Sequence, residues 1–488
     1  LEDGKPHLRR VLGRADLTLF LIAALVNLNS VPVVAGIGPA ALLFWLAGFL
    51  LFFLPQIIAV LELFHRFPQE GGIYRWSKIA FGDFHGFVSG WCYWTNNIFY
   101  VPTLLFYIVG FCTFIGGDAT RSLGQNPLFM AGVSLGLLWL ITWLNVRGFS
   151  VGKWVQTVGV GSTLATTAVI LGIGIVVTRS SGMATPLDTT AFSSALGEWS
   201  SIALLSVVCL NYVGLELASV IGEEVKDPLR SLPRAALVAG GSTVLLYILA
   251  TFALQASVPA AEIGVIDGIL QGVERAAGAI GMAWIVAPIA VLMSLNAAGN
   301  TSAWLAGSSR VPFVIGIDRY LPSAFGRIHP RHATPHIALV VQSFASSLFI
   351  LINAVGTTVH DMYMILLQTT IILQLIPYLY MFAALLRVRL SPARYGGGEP
   401  YFRSTAVCVS GAILGFVMTA AGLILAFIPS HGVTDVLNFE MKILLGTFSF
   451  LIPAVLLYRF NAKRARTRIP IPAPVEAHVE VEVEALQD

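Results

Sequence analysis

Charge is what this chain lacks most. Of its 488 residues only 11% are Asp, Glu, Lys or Arg, while 56% are hydrophobic, and mean hydropathy is +0.79. A soluble globular domain is about a quarter charged, so this composition excludes one, and no polar stretch is long enough to hold one. Cysteine is equally sparse. Cys92, Cys112, Cys209 and Cys408 all fall inside apolar runs, which excludes a disulfide framework and reads as small core hydrophobes. Gly152-Lys153 is followed by Trp and Gly4-Lys5 by Pro, so neither is a phosphate loop. With no other nucleotide motif, transport driven by ATP is excluded and gradients or exchange remain. No Arg-rich helix or filter-like loop marks a channel, and no nucleophile–base pair marks an enzyme. No cofactor, bound metal or nucleic-acid partner is expected. The opening residues, 1–14, are basic and polar and do not read as a cleavable signal peptide; the missing initial Met reads as trimming.

What the chain does have is apolar runs of about 20 residues, the length that crosses a bilayer. About twelve are predicted, at 17–39, 41–64, 84–115, 128–146, 152–177, 198–222, 235–257, 279–308, 336–354, 361–386, 405–428 and 437–459, numbered here as spans 1 to 12. They form an all-α transporter domain over 17–460, between a tail at 1–16 and a Pro-rich, Val/Glu-alternating tail at 461–488 that reads as disordered. With the N-terminus placed in the cytoplasm, only Arg121, Arg179, Arg275 and Lys442 of the 29 Lys and Arg fall on the opposite side. The positive-inside rule then puts both termini in the cytoplasm. Gly132/Gly136 and Gly411/Gly415 are small-xxx-small pairs for helix contact, and a homo-oligomer is possible.

Two of the runs are interrupted. Asn211-Tyr212-Val213-Gly214-Leu215-Glu216 breaks span 6, and Asn27-Leu28-Asn29-Ser30-Val31-Pro32 breaks span 1. A carboxylate in such a run costs at least about 2.5–3.5 kcal/mol to hold in lipid, so Glu216 is expected to line a cavity or pathway. It reads either as a protonatable coupling group or as an acceptor for the free backbone of the broken helix. Unwound backbone offers N–H groups to a carboxylate and C=O groups to an ammonium, which suits an amino acid zwitterion. Asn27, Asn29, Ser30, Asn211, Tyr212 and Gly214 are therefore substrate-site candidates. On span 3, Tyr93, Asn97 and Tyr100 share one face, and Asn97 is a candidate for contacting a substrate side chain or for inter-helix packing. Breaks five spans apart predict two inverted repeats, spans 1–5 at about 17–177 against 6–10 at about 198–386, with spans 11 and 12 (about 405–459) additional.

Glu62 is predicted to pair with Arg66, one turn on, near the headgroups. His329, His332 and His336 have a metal-like spacing with no Cys or carboxylate to complete a set. Asn300, Thr301 and Ser302 are polar residues that could serve a cation near span 1.

Several of these blocks resemble the amino acid–polyamine–organocation (APC) superfamily, which shares the fold of the bacterial leucine transporter. They are Gly214-Leu215-Glu216 through Glu223-Glu224-Val225-Lys226-Asp227-Pro228, with Arg230, Pro233 and Arg234; Glu62 with Pro68-Gln69-Glu70-Gly71-Gly72-Ile73-Tyr74; and Arg310 to Asp318 with Leu321-Pro322 and Thr334-Pro335. The resemblance implies substrate binding at the unwound parts of spans 1 and 6, with alternating access. In arginine/agmatine-type exchangers the residue matching Glu216 is linked to pH sensing or proton coupling, and that matching Asn97 to the substrate pocket. The chain departs from the pattern at Val31-Pro32, where many members have a Gly-rich carboxylate cradle; at Leu210, where an aromatic gate is common; and at Thr163, where proton-coupled relatives place a Lys. The expectation is a secondary transporter of amino acids across the cytoplasmic membrane, by proton symport or by exchange. The alternatives are a polyamine or other organocation carrier, or a transporter-like amino acid sensor.

Overall fold

The computed structural model describes residues 12–68, 71–187, 198–264, 267–318, 320–354, 359–428 and 436–466. The first eleven residues, Glu70 of the loop motif and the tail beyond 466 lie outside them. Ten helices among the described residues are long and apolar enough to cross a membrane: Arg14–Ala35, Ala40–Arg66, Asp83–Ile115, Pro127–Val146, Trp154–Ser180, Pro228–Ser257, Ala283–Gly316, Ile365–Leu390, Thr405–Leu425 and Glu440–Asn461. Two shorter apolar helices, Ser201–Asn211 and His336–Ile352, stand where spans 6 and 9 are predicted. Strands are absent from the described residues, and β structure is limited to a parallel bridge between Leu12 and Val225.

Local sequence explains the helix ends. Asn126 caps span 4 by accepting from Leu128 and Phe129 N–H at 3.0 and 3.3 Å, with Pro127 at the first helical position, where its missing N–H is not needed. Ser404 caps span 11 through Val407 N–H. Span 2 holds a feature the sequence reading missed: it reads as an uninterrupted run but contains a π-helical turn at Phe49–Phe53. Pro55 lies just beyond it and has no N–H to give the preceding turn. A second loop element, the helix Ile73–Phe81, follows Gly72, whose φ is +44°. A Cβ there would stand 2.6 Å from Ser219 Oγ, so the Gly-Gly of the loop motif lets this helix press against the second half of span 6.

Span 3 is the axis of the bundle. Spans 8 and 10 pack along it, span 5 packs on 8 and 7, and span 1 lies against 5, 7 and 8. Span 12 keeps Leu445, Phe448, Ile452 and Leu456 exposed, as a lipid-facing helix does. Spans 5 and 8 cross at Gly159 and Gly299, where a Cβ on Gly159 would be 2.9 Å from Gly299 Cα; one turn along, Asn296 donates to Thr163. Gly411 and Gly415 make the predicted contacts, against Ile58 and Phe382. Gly132 and Gly136 do not, because a Cβ at either meets open space. Cys92, Cys209 and Cys408 are buried, but Cys112 is exposed.

The end of the bundle that carries the Lys- and Arg-rich loops is fastened by ionic contacts. Glu62 pairs with Arg66 as predicted, at 3.3 Å, and is fully buried within the protein. It also accepts from Arg389 at 2.9 Å and from Phe402 N–H at 3.0 Å. Glu224 accepts from Arg310 at 2.7 Å. Asp318 takes Lys78 at 2.8 Å and the Tyr74 hydroxyl at 2.5 Å. Burial, and then the Asp318 carboxylate, hold the Tyr74 phenol above its ordinary range, so it stays a donor. Breaking a buried pair by deleting one partner costs about 3–5 kcal/mol. Glu62→Gln is therefore expected to lower thermal stability in detergent by that order and more than Arg66→Gln does, because Glu62 answers three donors; equal melting temperatures for the two variants would contradict this.

Candidate functional site

The first half of span 1 ends at Leu25. Val26 and Asn27 are then extended, with φ/ψ of −86°/103° and −115°/86°. A 3-10 turn, Leu28–Ser30, leads into the short helix Val31–Ala35. Asn27 organises this passage. Its Oδ1 accepts the Asn29 N–H at 3.3 Å, and its amide donates to Ser30 Oγ and to Tyr100 OH of span 3, both at 3.2 Å. Pro32 is accommodated because it lies in the first turn of the second half, where no helical bond would use its N–H.

Span 6 breaks at the matching place. Its first half ends at Asn211, and its second half is Leu217–Val220. Gly214 has φ +135°, a conformation L side chains rarely adopt.

Spanning helices that unwind must satisfy their free backbone groups inside the protein. One hydroxyl serves both breaks. Tyr247 of span 7 accepts the Asn27 N–H at 3.0 Å and faces two carbonyls, Leu25 at 2.7 Å and Asn211 at 3.1 Å. Span 8 caps the remaining carbonyls of span 1: Asn300 donates to Ala23 and Ala24 at 2.8 and 3.1 Å, and Trp304 to Ala24 at 3.0 Å. Thr301 bonds its own helix at Ala297, and Ser302 meets Asn145 of span 4. The three polar residues at 300–302 thus point to three different partners instead of converging on a cation site.

Glu216 is fully buried and holds four donors. Oε1 accepts from Tyr93 of span 3 at 2.8 Å. Oε2 accepts from Gln56 of span 2 at 3.1 Å, from Gly214 N–H at 3.0 Å and from Tyr378 of span 10. Gln56 also donates to Tyr378 at 2.7 Å. Three of the four donors thus meet Oε2 and one meets Oε1, which keeps a lone-pair direction open. Tyr93 and Tyr378 belong to other spans than the break, so this one side chain joins spans 2, 3, 6 and 10.

The structure gathers most of the predicted residues. Asn27, Asn29 and Ser30 line the break of span 1 and are buried. Asn97 follows Tyr93 by one turn; its amide donates to Tyr93 C=O at 3.0 Å, and its Oδ1 has no partner. Gly214 and Glu216 form the turn of span 6. The Asn211 amide returns to its own helix at Val207, leaving its carbonyl to Tyr247. The Tyr212 side chain turns away to span 2, where its hydroxyl donates to Trp45 C=O at 2.8 Å and its ring lies edge-on to Trp45. His329, His332 and His336 gather by ring contact in the loop before span 9, but His329 Nδ1 faces the backbone N–H of Arg331 and His332, and no group of metal-ligating side chains is found among the described residues. Sequence reasoning missed Tyr247, Gln56, Tyr378 and Trp304. The available signal was a lone polar or aromatic side chain inside an apolar span, beside Pro55 and Pro377 in two cases.

A helical membrane bundle with two facing broken helices, and a buried carboxylate at one of them, is the architecture of a secondary transporter. A family profile described as "Amino acid permease" matches residues 12–450, and the chain belongs to that family. It is 28% identical over 455 residues to an uncharacterized transporter of Legionella pneumophila, covering 91% of this chain and 96% of that one. A probable agmatine/putrescine antiporter of Lactococcus lactis is 21% identical, over 73% of this chain and 75% of its own. Among solved structures, MhsT in complex with L-phenylalanine superposes with a TM-score of 0.57 at 16% identity, over 86% of this chain and 98% of that chain. That likeness shows the leucine-transporter-like fold. The protein is thus an integral membrane transporter.

Tyr247→Phe keeps the ring and removes the hydroxyl shared by the two breaks. It is expected to lower stability by about 1–3 kcal/mol, the cost of leaving a buried polar group unpaired. Thermal unfolding of the purified protein in detergent tests this, and an unchanged transition would show that the breaks do not depend on Tyr247.

Proposed function

We propose that the protein moves an amino acid across the cytoplasmic membrane by alternating access, in proton symport or in exchange for a related amino acid or amine. Both termini lie in the cytoplasm in this reading. Asn27, Asn29, Ser30, Asn97, Asn211, Tyr212 and Gly214 form the substrate site, with the main chain of the breaks contributing as much as the side chains. Tyr212 contributes through its backbone, since its hydroxyl is engaged with Trp45. Alternating access moves spans 1, 2, 6 and 7 against spans 3, 4, 8 and 9.

The observation that carries this reading is the position of Glu216. It sits on the moving side, bonded within that side to Gln56 and Gly214 N–H, and across the divide to Tyr93. Displacing the two groups of spans therefore breaks a bond to the carboxylate, and the group that compensates it is either a proton or a substrate ammonium. Glu216 is the coupling residue of the proposed cycle. The name of the lactococcal relative keeps the polyamine alternative in view. Against it stands the charge inventory: Glu62 and Glu224 are each paired with arginine, which leaves Glu216 as the one buried acid without a basic partner among the described residues.

Counterflow in proteoliposomes tests the proposal, with neutral, acidic and basic amino acids and with polyamines, at acidic and at neutral pH. Accumulation of an amino acid is expected. Glu216→Gln is expected to retain substrate binding while flattening the pH dependence of flux. A pH profile identical to that of the unaltered protein would remove Glu216 from coupling, and binding without counterflow would favour a sensor.

A further inference from the structure

Four buried carboxamides around the proposed site have atoms without partners; in Gln56, which donates to Glu216 and Tyr378, it is Oε1 alone. Asn29, in the break of span 1, has neither its nitrogen nor its oxygen bonded; Asn97 has a free Oδ1; and Gln374 of span 10 has both ends free. None is more than 1% exposed. Buried polar groups in folded proteins are almost always paired, so side chains left open at one place in the fold point to a ligand there.

Their placement follows from the helices that carry them. Tyr93 and Tyr378 hold the two oxygens of Glu216, one from span 3 and one from span 10. Asn97 is one turn beyond Tyr93, and Gln374 one turn before Tyr378, each on the same helical face as its phenol. Since span 10 runs antiparallel to span 3, both turns lead away from Glu216 in the same direction. Tyr100, a further turn along span 3, holds Asn27 in the break of span 1. At the far end of the same two faces Tyr107 and Tyr363 meet hydroxyl to hydroxyl at 2.5 Å. From Tyr93 to Tyr107 is about 21 Å at 1.5 Å per residue. Asn97 and Gln374 therefore lie along spans 3 and 10 between the phenols that hold Glu216 and the Tyr107–Tyr363 contact, beside both breaks.

Charge narrows the occupant. Glu216 is already met by four donors, and no other unpaired acid and no buried Lys or Arg stands near it among the described residues; the buried arginines, Arg66, Arg310 and Arg389, are engaged by Glu62 and Glu224 at the end of the bundle. A substrate with a charged side chain, or a diamine, would bring a second charge with no counter-charge. A carboxamide both donates and accepts. We propose that the site takes an amino acid whose side chain is uncharged and hydrogen-bonding, a carboxamide or a hydroxyl, and that Gln374 together with Asn97 reads that side chain. This rests on the transport reading above.

The test is counterflow by the full chain in proteoliposomes with labelled glutamine, serine, leucine, arginine, glutamate and putrescine. Glutamine or serine is expected to lead the ranking in the unaltered protein. Gln374→Leu is expected to reduce the preference for glutamine over leucine by roughly tenfold or more, because a site built to bond a polar group loses that discrimination with the bond. Gln374→Glu supplies the missing counter-charge and is expected to move arginine or putrescine up the ranking, a change that a merely structural role for Gln374 would not produce. The proposal is overturned if leucine, arginine, glutamate or putrescine leads in the unaltered protein, or if both folded variants keep its ranking. If neither variant folds, the ranking of the unaltered protein decides. If none of the six compounds is moved, the transport reading itself falls and this one with it.

Discussion

A peptide that unwinds inside a membrane must find every hydrogen-bond partner within the protein, because lipid offers none. Most of what is distinctive in this chain answers that demand. Two spanning helices stop and restart, and the groups that would have bonded along the helix are met by side chains from three others: Tyr247 of span 7, and Asn300 and Trp304 of span 8 meet span 1, while Tyr247 and Tyr378 of span 10 reach span 6. Tyr247 is the economical case. A hydroxyl accepts and donates at once, so one atom closes an N–H in one break and faces a carbonyl in each. The two breaks, nearly two hundred residues apart in sequence, become one structural unit through it. That unit places backbone groups of both polarities beside one another, which is the requirement for holding a zwitterion.

The second consequence concerns Glu216. A carboxylate is tolerable at this depth only when several donors surround it, and charge-assisted bonds are about twice as strong as neutral ones. Four donors from spans 2, 3, 6 and 10 supply that environment. The same bonds that make the acid tolerable also make it a fastener between parts of the bundle. A residue can therefore be a structural acceptor and a coupling device without contradiction: in the proposed cycle, its cost of release couples its protonation or ligation to movement of the spans. The reading of Glu216 as an acceptor for the broken helix holds through its bond from Gly214 N–H, and the coupling reading builds on it.

How much of this was legible beforehand depends on whether the determinant was local. Helical spans follow from apolar runs, and for spans 3 and 4 the ends fall within a residue or so of expectation, 84–115 against Asp83–Ile115 and 128–146 against Pro127–Val146, whereas span 7 starts at Pro228 and span 8 runs on to Gly316. The two breaks were visible as polar, Gly- or Pro-containing interruptions, and the shared face of Tyr93, Asn97 and Tyr100 as helical spacing. The partners were not visible. Tyr247 is a single aromatic residue in an apolar run and looks like any core side chain, and Gln56 and Tyr378 meet across more than three hundred residues of sequence. Arg389 at Glu62 is the same case. Periodicity reports which face of a helix is buried but not which helix covers it, so each long-range partner escaped. Gly132/Gly136 shows the converse error: a local pattern suited to helix contact is present, but the fold brings no helix to it.

On its two sides Glu216 is bounded by different chemistry, and the difference bears on the proposed cycle. Where the loops are rich in Lys and Arg, buried ion pairs join the segment after span 6 to the end of span 8 and span 2 to span 10. Charges of this kind are costly to strand in a dry interior but can be rehydrated when the space between them fills with water. At the other end the contact between spans 3 and 10 is a neutral pair of phenols, Tyr107 and Tyr363, whose separation exchanges one hydroxyl bond for bonds to water at little net change. Neither end is an obstacle in itself once water enters. Glu216, between them, has no such recourse while the centre stays closed, because every donor it would lose must be replaced on the spot. A substrate ammonium carries three N–H donors to that place. In the proposed cycle, arrival of the substrate offsets the departure of Tyr93, so that movement of the spans is favoured only with the site occupied, the condition a coupled carrier has to meet to avoid leaking its driving gradient.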